Sequence, residues 1–338
     1  MKFSSITIMD IAKALGVSKS TVSRALQNSH EVGAETRKKI LAYAQQHNYE
    51  PNPVAKGLQH KQTFSIGVVV PELKNNFFAQ VIEGIDEVVY QKGYQIIISQ
   101  SYEKPQREIE TVRHLASRSI DGLIISVSAE SKEYDHLKAL NKMGLPIVFF
   151  DRVAENFQTH QVVINNQKVA YTVTEMLIRK GRRRILHITH SSDLSITRER
   201  LVGYKQALAK NGIAFDERLV YNCHYGTMQV EAIEADLMKL MQMKPRPDAI
   251  FSSGDRITTL IYSCLEKLGF SVPKHLAFVG FSNNTMIDLM NPHIMVIRQP
   301  AHEMGKAAAE LLIQLIESRK PTKVFERQVL DPLIVAHE

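Results

Sequence analysis

Lys19, Ser20, Thr21, Ser23 and Arg24 fall within six residues and mix short hydroxyl donors with long cations. These side-chain types reach phosphate oxygens and base edges in a DNA major groove. A second basic cluster, Arg37-Lys38-Lys39, follows closely. Residues 1–62 hold nine Lys/Arg against four Asp/Glu, whereas the remainder of the 338 residues is nearly neutral within a net charge of +7. The basicity is therefore a property of the N-terminal end, which points to a polyanionic partner for that end alone.

Other chemistries find little support. No GxGxxG follows a strand, and neither GxxxxGK[ST] nor GxSxG occurs, so dinucleotide, P-loop and nucleophile-elbow sites are not expected, and no catalytic residue or cofactor is assigned. His187 and His190 stand three apart on an apolar run, on opposite faces of a strand, so no metal pair is expected. Cys223 and Cys264 lack CxxC pairing, which argues against a disulfide scaffold or zinc ribbon and suits a reducing cytoplasm. The run Arg179-Lys180-Gly181-Arg182-Arg183-Arg184 reads as a solvated helix-to-strand turn whose cations complement a helix C-terminus. No uncharged apolar run approaches the roughly 18 residues of a membrane helix. Asp10 and Lys13 interrupt any apolar signal core.

The DNA-facing residues need helices to hold them. Thr7 with Asp10 three residues on is close to a capping box, Ile8, Ile11, Ala12 and Leu15 keep helical spacing, and Gly16 stops the run. Ser18 caps a second helix, Lys19–Leu26, with Val22, Ala25 and Leu26 inward. Two short helices joined by Gly16-Val17-Ser18 make a helix-turn-helix. A third helix is expected at about 34–47, with Ile40, Leu41 and Ala44 inward. Pro51 and Pro53 then break the chain, leaving room for a helix of about one and a half turns, too short to form without a partner, or for a plain linker.

From Ser65 the pattern changes to short apolar runs alternating with amphipathic helices. Runs near 65–70, 95–99, 122–126 and 146–150, then 184–189, 219–221, 249–252 and 276–281, read as buried strands of parallel sheets. Helices are expected between them, and one more near 303–318. The two series look like one unit used twice, and two such lobes leave a cleft at the C-terminal strand ends.

Residues 7–26 and 48–58 resemble the lactose-repressor (LacI/GalR) family of bacterial transcription regulators. Val17-Ser18, Thr21-Val22-Ser23-Arg24, Thr36-Arg37 and Asn52-Pro53 all fall at that family's spacings. The resemblance implies that Lys19, Ser20 and Arg24 face bases while Thr7, Ser18, Thr21 and Ser23 position the DNA backbone. It further implies a hinge helix entering the minor groove with Asn52, Val54, Ala55 and Leu58, the last as a wedge. Gln27 and Gly33 depart from the residues common there, Asn and Ser.

The resemblance extends over nearly the whole chain and implies a periplasmic-binding-protein-like α/β core. Its boundaries are a helix-turn-helix domain at 1–50, a hinge at 51–62 and an effector core at 63–338. The core's first lobe takes about 63–164 and 293–321, and its second about 165–292 and 322–338. Matching motifs place Phe77, Phe78, Asn165, Arg200, His224, Asp255 and Ser282 at the effector. The alternatives are core packing for the two phenylalanines, a surface ion pair for Arg200 and a helix cap for Asp255. Asn165 and Ser282 stand where many relatives have Asp. The function expected is a homodimeric, ligand-responsive repressor that binds double-stranded operator DNA and a sugar-like small molecule. A periplasmic-type solute-binding protein would share the lobes but need a signal peptide and no basic headpiece.

Overall fold

The computed structural model describes residues 6–27, 29–49, 62–190, 194–223, 230–318, 322 and 324–336. Residues 1–63 and 64–338 form two compact units. In the first, α1 (Ile8–Leu15), α2 (Lys19–Leu26) and α3 (Ala34–Gln46) pack around Ile11, Val22, Ala25, Ile40 and Ala44. The capping box at Thr7 is complete, with Asp10 Oδ2 2.9 Å from the Thr7 N–H, and Gly16 takes the left-handed conformation that ends α1. Leu41, expected inward, is exposed, because the helical turn carries Ile40 and Ala44 to the inner face.

The second unit carries two six-stranded sheets among the described residues. The first is built from β1 (Ser65–Val70), β2 (Gln95–Gln100), β3 (Gly122–Ile125), β4 (Ile147–Phe150), β5 (His160–Ile164) and β11 (Arg327–Leu330), in the order β11-β5-β4-β3-β1-β2. The second is built from β6 (Ile185–Thr189), β7 (Val220–Asn222), β8 (Ala249–Ser252), β9 (Ala277–Phe281), β10 (Met295–Arg298) and β12 (Leu333–Val335), in the order β12-β10-β9-β8-β6-β7. Every pairing is parallel except β10 with β12, so the expected parallel sheets hold with one antiparallel edge.

Helices α4 (Asn76–Gln91), α5 (Pro105–Ser117) and α6 (Asp135–Lys142) belong to the first lobe. Helices α7 (Asn166–Arg179), α8 (Ser195–Lys210), α9 (Val230–Met241), α10 (Asp255–Lys267) and the short α11 (Met286–Met290) follow, and then α12 (Ala301–Glu317). Two close helix packings depend on glycine. A Cβ on Gly84 would sit 2.0 Å from the His302 carbonyl oxygen, so α4 meets α12 almost backbone to backbone. One on Gly203 would sit 2.1 Å from the Gln167 carbonyl oxygen, which brings α8 equally close to α7.

The lobe boundaries need correction at the C-terminal end. The expected division gives β10 to the first lobe, but it bonds to β9 of the second. It gives β11 to the second lobe, but that strand bonds to β5 of the first. The chain changes lobes after β5, after β10 and again between β11 and β12. The last three strands are three or four residues long, and the half-polar Arg327-Gln328-Val329-Leu330 gives no apolar run by which to assign a sheet. His160–Ile164, not expected as a strand, is the partner that receives β11 at the edge of the first sheet.

Candidate functional site

In the helical unit, Ser18 Oγ accepts from the Thr21 N–H at 3.0 Å and lies 2.7 Å from Ser20 Oγ and 2.8 Å from Thr21 Oγ1. This hydroxyl cluster fixes the first turn of α2, whose N–H groups and positive dipole end favour an anion. Thr7, capping α1, is exposed, as are Ser18, Lys19, Ser20 and Arg24, with Thr21 and Ser23 half-buried, so α2 and its cap carry the rest of the predicted set while Val22 and Ala25 hold the helix to the core. Arg24 Nε pairs with Glu31 Oε2 at 3.1 Å, across the turn preceding α3. Asn52, Val54, Ala55 and Leu58 lie outside the described residues, as does His224.

In the second unit the buried polar side chains gather where strands end: Ser101 after β2, Asp151 and Arg152 after β4, Asn166 after β5, His190 after β6, Ser253 after β8, Ser282 and Asn283 after β9, Gln299 after β10. Apolar strands exclude water up to their last residue, and the first polar groups beyond them converge on the space between the sheets.

Arg200 is the centre of the second lobe's share. It is 2% exposed, so the surface ion pair is excluded. Its Nε donates to Asn166 Oδ1 at 2.8 Å, a terminal nitrogen donates to the Ser253 carbonyl at 2.7 Å, and the guanidinium lies 3.7 Å over the Phe281 ring. Asn165, by contrast, is exposed and spends its Oδ1 capping α7 through the Lys168 N–H at 2.9 Å. Its neighbour Asn166 holds Arg200.

Asp255 opens α10 without capping it. Its carboxylate accepts from Ser282 Oγ at 2.9 Å. Burial raises its pKa above the ordinary carboxylate value, and the Ser282 hydrogen bond pulls part of that back. Phe77 and Phe78 are core residues: the rings pack edge to face at 5.1 Å, and Phe78 meets Phe150. The core alternative therefore holds for both, since α4 turns the two rings onto the sheet.

The first lobe contributes an ion pair that the sequence reading missed. Arg152 donates to both Glu103 oxygens at 3.0 and 2.7 Å, and Glu103 Oε2 also accepts from the Ala129 N–H at 2.8 Å. Tyr102, Glu103 and Asp151 all have positive φ, a conformation that concentrates at binding sites. The signal available was positional: Asp151-Arg152 directly follows an apolar strand run.

His190 is buried, and its pKa lies well below the usual histidine value because of burial, with the charges of Arg152, Arg200 and Arg256 adding to the effect. The charges that this imidazole senses thus come from both lobes. Arg256 also reaches Glu72 of the first lobe at 3.1 Å, and Gln80 and Asn283 exchange hydrogen bonds at 2.8 and 3.2 Å. No grouping of His, Cys, Asp and Glu that could hold a metal occurs among the described residues. No helix among them is long and apolar enough to cross a membrane.

Two family profiles match this chain: "Bacterial regulatory proteins, lacI family" over residues 7–52, and "Periplasmic binding proteins and sugar binding domain of LacI family" over residues 63–331. The chain is 31% identical over 321 residues to the HTH-type transcriptional repressor PurR of Photobacterium profundum, covering 95% of each chain. A solved transcriptional regulator CelR–cellobiose complex matches at 26% identity and a TM-score of 0.70, over 97% of this chain and 98% of that one. The lac repressor dimer bound to operator and the anti-inducer ONPF has the same fold, with a TM-score of 0.81 at 22% identity over 98% of both chains.

Proposed function

Since this chain belongs to the LacI family of bacterial regulators, a family of ligand-responsive transcriptional repressors, we propose that it binds a pseudo-palindromic operator as a homodimer in the cytoplasm and is controlled by a polyhydroxylated ring in its inter-lobe cleft. The relatives are regulators, not enzymes, and no catalytic step is required of the cleft.

The effector reading rests on Arg200: a buried guanidinium fixed by two neutral acceptors at the strand ends, with a planar fork suited to paired hydroxyls or a carboxylate. Asp255, held by Ser282, supplies an acceptor for ligand hydroxyls. The cellobiose in the CelR complex supports the saccharide class. The DNA reading rests on α2, whose exposed Lys19, Ser20 and Arg24 suit a major groove. Two-fold pairing would set the recognition helices about one helical turn apart. The hinge roles of Asn52, Val54, Ala55 and Leu58, and the place of His224 at the effector, belong to the same proposal and rest on the family resemblance.

Calorimetry against cellobiose, ribose, sugar acids, sugar phosphates and purines identifies the ligand, and Arg200→Ala tests the site. The variant is expected to lose about 2–5 kcal/mol of affinity where the ligand meets Arg200 with a desolvated charge. Unchanged affinity assigns Arg200 to structure alone. Footprinting that finds one asymmetric half-site bound by a monomer removes the dimer reading.

A further inference from the structure

Two neighbours on α8, Glu199 and Arg200, bond to the same side chain. Asn166, 2% exposed at the start of α7, accepts from Arg200 Nε through Oδ1 at 2.8 Å and donates from Nδ2 to Glu199 Oε2 at 2.9 Å. Nδ2 also lies 3.4 Å from the Ile164 carbonyl oxygen. The other oxygen of Glu199 meets Arg327 of β11 at 3.3 Å, so an unbroken series of contacts joins the edge strand of the first sheet to Arg200. Asn166 stands where the chain passes from β5 into α7, and the series therefore spans the two lobes.

A carboxamide presents donors on one arm and an acceptor on the other, and the two arms are nearly the same size. Reversed, Asn166 would set its NH2 against the Arg200 N–H and its carbonyl against the Glu199 carboxylate, two repulsive contacts at a buried position. Of the two acceptors that face Nδ2, the Glu199 carboxylate is both charged and closer than the Ile164 carbonyl. Glu199 thus holds the amide with Oδ1 toward Arg200, and Oδ1 in turn holds the guanidinium by its Nε–H. Arg327 is half exposed, so its pair with Glu199 adds little energy of its own.

We propose that Glu199 is a positioning residue of the effector site: by accepting from Asn166 it fixes the orientation in which Arg200 meets a ligand. That role rests on the reading of Arg200 as the residue that receives the effector, but the positioning itself is observable without any ligand. What residue 199 must supply is an acceptor rather than a charge. In Glu199→Gln the side-chain carbonyl serves the buried Asn166 amide while Arg327 turns to water. Glu199→Ala leaves that amide to the Ile164 carbonyl alone, and Arg200 to whichever arm then faces it.

The test uses the full chain with isotope-labelled arginine. The Nε–H resonance of Arg200, identified by its loss in Arg200→Lys, is followed for exchange with water in the absence of ligand. Glu199→Ala should speed that exchange about tenfold, the loss expected of one hydrogen bond to a charged group, while the other arginine resonances keep their rates. Glu199→Gln and Arg327→Met should each stay within about twofold of the parent. Glu199→Leu, of similar size and without an acceptor, takes the place of Glu199→Ala should that variant not fold. Calorimetry with ribose and cellobiose gives the second reading: a sugar that the parent binds should bind about tenfold more weakly to Glu199→Ala and nearly unchanged to Glu199→Gln. The proposal is overturned if Arg200 exchange is unaltered in the folded acceptor-free variant, if Glu199→Gln or Arg327→Met matches that variant, or if all arginine resonances speed up together. If neither sugar binds, or Arg200→Ala binds as the parent does, it is the effector reading that fails, and the exchange rates still decide the role of Glu199.

Discussion

Single residues in this protein are set by what burial leaves them to meet. His187 stacks on Tyr204 at 5.1 Å between ring centres and contacts Phe251 at 4.7 Å. Burial, helped by the Arg200 charge, lowers its pKa to about 3. The unfolded chain, with an ordinary histidine near 6.5, takes up this proton first as pH falls. The stability that neutral His187 contributes is therefore complete above about pH 6.5 and is lost progressively toward pH 3, at up to ~1.4 kcal/mol per pH unit. Denaturant melts of His187→Phe between about pH 7 and 5 should show a shallower acid slope than the parent. Parallel slopes would mean that His187 is protonated in the fold. Arg24 poses the opposite case, an exposed cation already partnered by Glu31. Its removal in Arg24→Ala should cost ~1–3 kcal/mol of operator affinity, as expected of a base-reading side chain. Glu31→Gln should strengthen binding by releasing the guanidinium, and titrations at fixed salt compare the two.

At the scale of elements, recognition depends on how closely helices approach. Gly203 lets α8 lie against α7, and that contact places Arg200 within reach of Asn166. Gly203→Ala forces a methyl onto the Gln167 carbonyl, and the helices must part. Overpacking of this kind costs about 1–3 kcal/mol, visible as a lower denaturation midpoint. Effector affinity should fall with it, because separation of α8 from α7 lengthens the Arg200–Asn166 hydrogen bond. A variant with a lower midpoint and unchanged effector affinity would show that this helix contact does not position the cleft.

For the whole molecule, the described conformation has its two lobes in contact through several separate pairs of side chains. Ala129 of the first lobe packs with Leu194 and Ile196 of the second, Arg198 pairs with Glu155, and Arg256 pairs with Glu72. Glu103 links the Ala129 backbone to Arg152, so one carboxylate touches both the cleft and a closing contact. A ligand that favours one lobe arrangement works through such contacts. Ala129→Asp buries an unpaired charge against Leu194 and Ile196 and should favour parted lobes. Small-angle scattering should record a larger radius of gyration with unchanged helix content, and an unaltered radius would show that this contact does not hold the lobes together.

Much of this was legible in the sequence. Thr7 with Asp10, Gly16 and Ser18 define α1 and α2 through hydrogen bonds spanning three or four residues, and the apolar runs mark strands by composition alone. Those signals are local, so the order of residues determines them. The tertiary structure decided which strand ends face each other. It put Asn166 rather than Asn165 on Arg200, turned Phe77 and Phe78 into the core, joined Glu103 to Arg152 across 49 positions, and exchanged β10 and β11 between the sheets. Each of those outcomes depends on strand order and on burial by distant segments, which no window of neighbouring residues contains.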